Sequence, residues 1–149
     1  MTGTPPGPLP SSAEPRRLEP PASEAAAPFW QATRERRLVL PWCSACEQPI
    51  WYPREVCPAC LGTTIEWRDA SGLGVIYACT VEHQSQTPAL EAPYVVALIE
   101  LDEGVRLMSN VVGGPSQEVV VGDRVGVTWE PLSDGRHLPL FELHATRDR

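Results

Sequence analysis

The sequence predicts a mainly β protein built from an N-terminal helix, a four-cysteine metal ribbon and a five-stranded closed barrel. Three observations predict it. Two CxxC pairs stand ten residues apart between Cys43 and Cys60. Five runs rich in β-branched and aromatic residues follow residue 69, separated by glycine-containing turns. One helical stretch, AAAPFWQATRERR, precedes them.

Residues 1–24, MTGTPPGPLPSSAEPRRLEPPASE, hold seven of the 17 prolines. Leu9 and Leu18 are their only bulky apolar residues besides Met1. Burial cannot offset the ordering entropy of such a segment, so a flexible arm is expected. Residues 25–37 are the helical region, with the helix itself expected over Pro28–Arg36. Pro28 suits the first turn, Phe29, Trp30 and Thr33 suggest one face, and Arg36 and Arg37 suit the end.

The ribbon is expected over residues 38–68. LVLPW, residues 38–42, reads as a strand leading into the first metal turn. Cys43, Cys46, Cys57 and Cys60 have the spacing C-x2-C-x10-C-x2-C. Each CxxC presents two thiolates from one tight turn, and two facing turns make a tetrahedral all-sulfur site. Zinc is the expected ion, with rubredoxin-type iron as the alternative. Such a site leaves no coordination position for water, so its role is structural rather than hydrolytic. Between the pairs, Ile50, Trp51 and Tyr52 suggest a short strand limited by Pro49 and Pro53. Trp42, Trp51 and Tyr52 are expected to cover the metal, with a partner-facing patch as the alternative. TIEWRDA, residues 64–70, returns as a strand.

Residues 69–149 are the expected barrel domain. Gly72 and Gly74 mark curvature or a bulge at the start of GVIYACTV, residues 74–81. YVVALIEL, residues 94–101, alternates cleanly, and Asp102-Glu103-Gly104 is a three-residue hairpin turn. VRLMSNVV, residues 105–112, pairs back. RVGVTWEP, residues 124–131, and LPLFELHA, residues 138–145, follow a break and are joined by a turn at Ser133-Asp134-Gly135. Three meandering strands and then two more match an OB-fold; an SH3-like barrel or an open sandwich are the alternatives.

Catalytic constellations are thin. There is no HExxH and no G-x-S-x-G, and GLG at residues 72–74 lacks the helix of a phosphate cradle. Cys79 and His83 are four apart, about 13 Å on a strand, too far for a thiolate–imidazole pair. Cys79 is expected to be a small buried hydrophobe. His83 is expected to be structural or solvent-facing, and His137, beside a turn, and His144, at a strand end, to be ordinary surface residues. No catalytic residue is assigned, and an isolated esterase or reductase activity is disfavoured.

The formal charge is −7, and all twelve basic residues are arginine. This balance disfavours broad binding to nucleic-acid phosphates, the alternative an OB-fold raises. Arg34, Arg36 and Arg37 read as a solvated helix end. No signal-like or membrane-spanning apolar run is present, so a cytoplasmic location is expected and a membrane is not a partner.

Taken together, LVLPWCSAC, YPREVCPAC, SGLGVIYACTVEH, PYVVALIELDEG, VRLMSNVVG and VGDRVGVTWE resemble the DUF35 family, from about Phe29 to His144. The resemblance implies a rubredoxin-like zinc ribbon joined to an OB-fold. It implies a partner subunit of a thiolase-superfamily enzyme acting on acyl-CoA thioesters, of thiolase or lipid-transfer-protein-like aldolase type, as in steroid side-chain degradation. A MaoC-like enoyl-CoA hydratase is the alternative partner. It further implies that the partner supplies catalysis, while this subunit stabilises the complex and helps shape a CoA channel. Arg54, Arg68 and Arg106 are candidates to meet CoA phosphates. Cys43, Cys46, Cys57 and Cys60 match the family's metal ligands, Pro53 and Arg54 its Pro-Arg, and Tyr94, Glu100, Gly104 and Asn110 its barrel pattern. Two departures stand out. Glycine usually follows each CxxC, whereas Glu47 and Leu61 occupy those places, with Gly62 expected to take over the second turn. The family's glycine before LVL is Arg37 in this chain.

Overall fold

The computed structural model describes residues 18–85, 87–115 and 118–144. A 3-10 turn at Glu24–Ala26 leads into α1, Ala27–Thr33. Eight strands follow: β1 Val39–Cys43, β2 Gln48–Pro49, β3 Ile65–Asp69, β4 Leu73–Glu82, β5 Tyr94–Leu101, β6 Arg106–Val112, β7 Arg124–Pro131 and β8 His137–Leu143. The first three form an antiparallel sheet of order β2-β1-β3, and the other five close into a barrel of order β4-β5-β6-β8-β7. That is the mainly β architecture and the five-stranded barrel the sequence predicts.

The alternation in β5 shows how sequence makes the barrel. Val95, Ala97, Ile99 and Leu101 are buried, while the residues between them are half-buried on the outer face. Ile76, Leu107, Val111, Val125 and Phe141 meet them inside. Burying each large apolar side chain contributes roughly 1.5–3 kcal/mol. Phe29 of α1 and Leu38 and Leu40 of the ribbon belong to this same cluster. The helix and the ribbon are therefore pinned to the barrel through one core.

Gly74 is needed by close approach. A Cβ there would lie 2.5 Å from the backbone oxygen of Glu100 on β5. The pairing register slips between Ile76 and Ala78, placing a bulge at Tyr77. Gly104 closes the β5–β6 hairpin at a φ of 91°, as the Asp-Glu-Gly turn predicts.

Several expectations need correction. The helix stops at Thr33 rather than Arg36, and Arg36 ends the segment in a left-handed conformation, φ 56°. Arg37 instead bonds Asp69 at 2.8 Å, and Arg34 donates to the Asp134 carbonyl at 2.7 Å. Ile50-Trp51-Tyr52 is not a strand. The ribbon strand is Gln48–Pro49, Ile50 N donates to the Pro41 carbonyl, and the chain bends at Trp51–Tyr52, where the peptide is cis. The expected arm over residues 1–24 is tied down from Glu19, whose carboxylate accepts from Ser133 N at 2.7 Å and Ser133 Oγ at 2.8 Å. Residues 1–17 of that expectation lie outside the described residues.

Candidate metal centre and apolar groove

β1 delivers Cys43 into the first turn, and the loop before β3 carries Cys57 and Cys60. Backbone bonds fix both turns: Ser44 N to Thr64 O at 3.0 Å, Leu61 N to Cys57 O at 2.9 Å and Cys57 N to Gly62 O at 2.9 Å. One sulfur from each of Cys43, Cys46, Cys57 and Cys60 lies within 4.8 Å of the others. The Cys43–Cys60 sulfurs are 3.5 Å apart and the Cys46–Cys57 sulfurs 3.7 Å. Tetrahedral zinc, with Zn–S bonds of about 2.3 Å, requires sulfur–sulfur separations of about 3.8 Å. The four side chains therefore fit such an ion, and all four are needed to complete its coordination.

The thiols pull against one another. Burial pushes the Cys46 thiol up to about 12, and hydrogen bonds with Cys57, Cys60 and Cys43 add to the effect. The Cys60 backbone N–H holds Cys57 down to about 7, against burial. A divalent cation among the sulfurs resolves this conflict by stabilising every thiolate at once.

The turns reach this geometry without the expected glycines. Glu47 and Leu61 themselves adopt left-handed conformations, φ 52° and 60°. Gly62 does not take over the second turn. It supplies space instead: a Cβ there would lie 3.2 Å from Cys60 Sγ and 3.6 Å from Cys43 Sγ. Glu47 is also held by Arg68, whose Nη1 donates to it at 2.9 Å.

The tryptophans do not cover the sulfurs. Trp42 and Trp51 pack on the main core, whereas the cysteine cluster is joined by Ile50 and Ile65. Arg68 stacks over Trp42, 5.1 Å from its ring centroid, and Trp51 meets Phe29 edge-on with centroids 5.5 Å apart.

Trp51 and Tyr52 instead form one wall of an open groove of about 650 Å³. Phe29 and Trp30 of α1, Tyr94 and Val96 of β5, Leu107–Asn110 of β6 and Leu138–Leu140 of β8 complete it, with Pro20 also in the wall. The groove follows from an incomplete seam in the barrel. β6 and β8 run parallel but pair only at Val111–Phe141 and Val112–Glu142. Below that point Ser109 Oγ donates to the Pro139 carbonyl at 2.8 Å, and Asn110 Nδ2 donates to the Val95 carbonyl at 2.9 Å. The indole Nε1 of Trp51 is buried and has no hydrogen-bond partner among the described residues.

Two of the three candidate arginines are engaged. Arg68 bonds Glu47 and Glu66. Arg106 bonds Glu100 at 2.6 Å and lies over Tyr77, 3.6 Å from the ring centroid. Arg54, exposed and next to groove residue Pro53, has no ion-pair partner among the described residues. His137 is not a plain surface residue: it is half-buried, with Nδ1 2.9 Å from the Thr33 carbonyl. His83 and His144 are exposed, and Cys79 sits half-buried in β4. The groove was not foreseen as a site. Its only sequence signals were the adjacent aromatics Phe29-Trp30 and Trp51-Tyr52.

Residues 30–66 match the family described as ChsH2, rubredoxin-like zinc ribbon domain, and residues 67–130 match ChsH2, C-terminal OB-fold domain. A probable enoyl-CoA hydratase alpha subunit of Thermomonospora curvata is 38% identical over 130 residues, 86% of this chain and 41% of that protein. The chain thus spans about two fifths of that relative. A DUF35 domain-containing scaffold protein of Methanocaldococcus jannaschii is 32% identical over 108 residues, 70% of this chain and 77% of that protein. Among solved structures, the Ltp2-ChsH2(DUF35) aldolase matches with a TM-score of 0.78 and 35% identity, over 84% of this chain and 98% of that chain.

Proposed function

The chain belongs to the DUF35 family of zinc-ribbon and OB-fold proteins, and from that premise we propose that it is a non-catalytic subunit of an enzyme acting on acyl-CoA thioesters. The partner is a thiolase-superfamily subunit of the lipid-transfer-protein-like aldolase or thiolase type, and it carries the catalytic groups. The observation behind this reading is the likeness to the ChsH2(DUF35) aldolase structure across 98% of the matched chain. In this role Cys43, Cys46, Cys57 and Cys60 hold a structural zinc, and the ion's binding free energy stabilises the ribbon. The ribbon in turn sets Trp51 and Tyr52 against the barrel.

CoA is met jointly with the partner. Arg54, free of ion pairs among the described residues, is the group in this chain best placed to take a phosphate oxygen. Among the described residues no helix is long and apolar enough to cross a membrane. We place the complex in the cytoplasm.

Co-expression with a neighbouring thiolase-like gene tests the reading. The pair should co-elute, and its carbon–carbon bond cleavage on acyl-CoA substrates should depend on this chain. Separate elution, with partner activity indifferent to this chain, would remove the proposal. The hydratase reading has its own support in the name of the Thermomonospora curvata relative. It predicts co-elution with a MaoC-like subunit and water addition to an enoyl-CoA.

A further inference from the structure

We propose that Cys60 is the oxidant-accessible thiolate of the ribbon, and that a peroxide converts it to a Cys43–Cys60 disulfide with release of the metal ion. The inference rests on the four-sulfur site as a zinc centre and goes beyond the subunit reading. A thiolate is the nucleophile in such chemistry, and susceptibility follows thiolate character and exposure. A closed zinc site keeps all four sulfurs as thiolates, so exposure decides between them. Cys43 and Cys57 are 0% and 1% exposed, Cys46 is half-buried, and Cys60 is exposed. Gly62 keeps the approach open. It is not in a left-handed conformation, so the turn does not call on glycine's backbone freedom there. What it supplies is space: a Cβ would lie 3.2 Å from Cys60 Sγ and 3.6 Å from Cys43 Sγ. A side chain at this position would stand against both sulfurs.

The disulfide partner follows from distance. Cys43 Sγ lies 3.5 Å from Cys60 Sγ, about 1.5 Å beyond the roughly 2.05 Å of a disulfide bond. Cys57, the other cysteine of the second turn, is held elsewhere. Its sulfur accepts from the backbone N–H groups of Cys60 and Ala59 and lies 3.7 Å from Cys46 Sγ. The chemistry balances in two steps. The Cys60 thiolate attacks one peroxide oxygen, the O–O bond breaks, and hydroxide leaves as Cys60 becomes a sulfenic acid. The Cys43 thiolate then attacks the Cys60 sulfur, the S–O bond breaks, and a second hydroxide leaves. Two protons from solvent turn both hydroxides into water. The thiolate pair loses two electrons and the peroxide gains them. A disulfide no longer offers thiolate ligands, so the ion is left with Cys46 and Cys57 and dissociates. Leu40 keeps β1 in the main core, so the loosening is confined to the two metal turns.

The test uses the full chain loaded with zinc, its metal content measured before an equivalent of hydrogen peroxide is added. A chain that takes up no zinc removes the metal site and the inference together. A chain that holds its zinc through peroxide removes the inference alone. Zinc release is followed with a chromogenic chelator, and the modified cysteines are mapped by peptide mass spectrometry with dimedone as the sulfenic-acid trap. The expected result is dimedone on Cys60 first, then a Cys43–Cys60 disulfide with one zinc released per disulfide. A thiol reductant with added zinc should restore the site. Hydrogen exchange should rise in the two metal turns and stay unchanged in β4–β8. A first label on Cys43, Cys46, Cys57 or Cys79 would overturn the proposal, as would a Cys57–Cys60 disulfide or a covalent dimer through Cys60. Gly62→Ala sets a methyl group beside Cys60 Sγ and should slow zinc release severalfold. Release from that variant at the wild-type rate would refute the open approach. If the variant cannot hold zinc, the labelling order in the wild-type chain decides.

Discussion

Leu61 offers a sharp test of how the metal turn is built. It follows Cys60 at a φ of 60° and is 75% exposed. Leu61→Ala and Leu61→Gly remove the same small buried fraction of the side chain, so that loss cancels between them. Alanine keeps the left-handed penalty, roughly 1–2 kcal/mol, and glycine releases it. Against this, glycine's freer unfolded chain takes back about 0.4–1 kcal/mol. The remainder favours Leu61→Gly over Leu61→Ala by about 1 kcal/mol. At a right-handed or extended position the order would reverse by roughly 0.5–1 kcal/mol. Thermal melting of the zinc-loaded variants reads the difference, about 2–4 °C for a chain near this size. Equal stabilities, or a more stable alanine variant, would refute the left-handed turn and the account of how Leu61 replaces glycine.

Other outcomes follow from the same structure. Gly74→Ala places a Cβ 2.5 Å from the backbone oxygen of Glu100, which cannot swing away. It should destabilise the barrel by roughly 1–3 kcal/mol in chemical denaturation. Cys57→Ser leaves three sulfurs in the ribbon, so bound zinc by elemental analysis should fall from one equivalent toward background, with loss of the ribbon's protection against hydrogen exchange. Arg124 beside Asp102 holds that carboxyl below its usual range. The folded pKa is depressed, so the contribution is present above the unfolded pKa and lost as pH falls through the folded one. Asp102→Asn should therefore lower the melting temperature at neutral pH, and the gap from wild type should close in strong acid. A gap that persists below the carboxylate range would contradict it.

The strands and the cysteine site were legible because their signals are local. Alternation in residues 94–101 dictates one buried face whatever lies beyond it, and C-x2-C turns bring sulfurs together within a few residues. The Ile50–Tyr52 segment misled because β-forming side chains outvoted the flanking prolines, which confine the strand to Gln48–Pro49. Leu61 misled because glycine's preference for left-handed backbone is a preference and not a requirement. The groove was invisible for a different reason. It needs α1, the loop at Trp51, and the unpaired stretch between β6 and β8, elements up to about a hundred residues apart. No window of sequence records that β6 and β8 pair at only two positions. The burial of His137 against Thr33 is likewise a contact across 104 residues.

The central claim is that this 16.3 kDa chain works as a zinc-clipped subunit of a larger acyl-CoA enzyme. A native mass spectrum of the chain co-expressed with its thiolase-like neighbour tests it most directly. The account predicts a hetero-oligomer carrying one zinc per copy of this chain. Two separate species, with the 16.3 kDa chain free of both partner and metal, would contradict it.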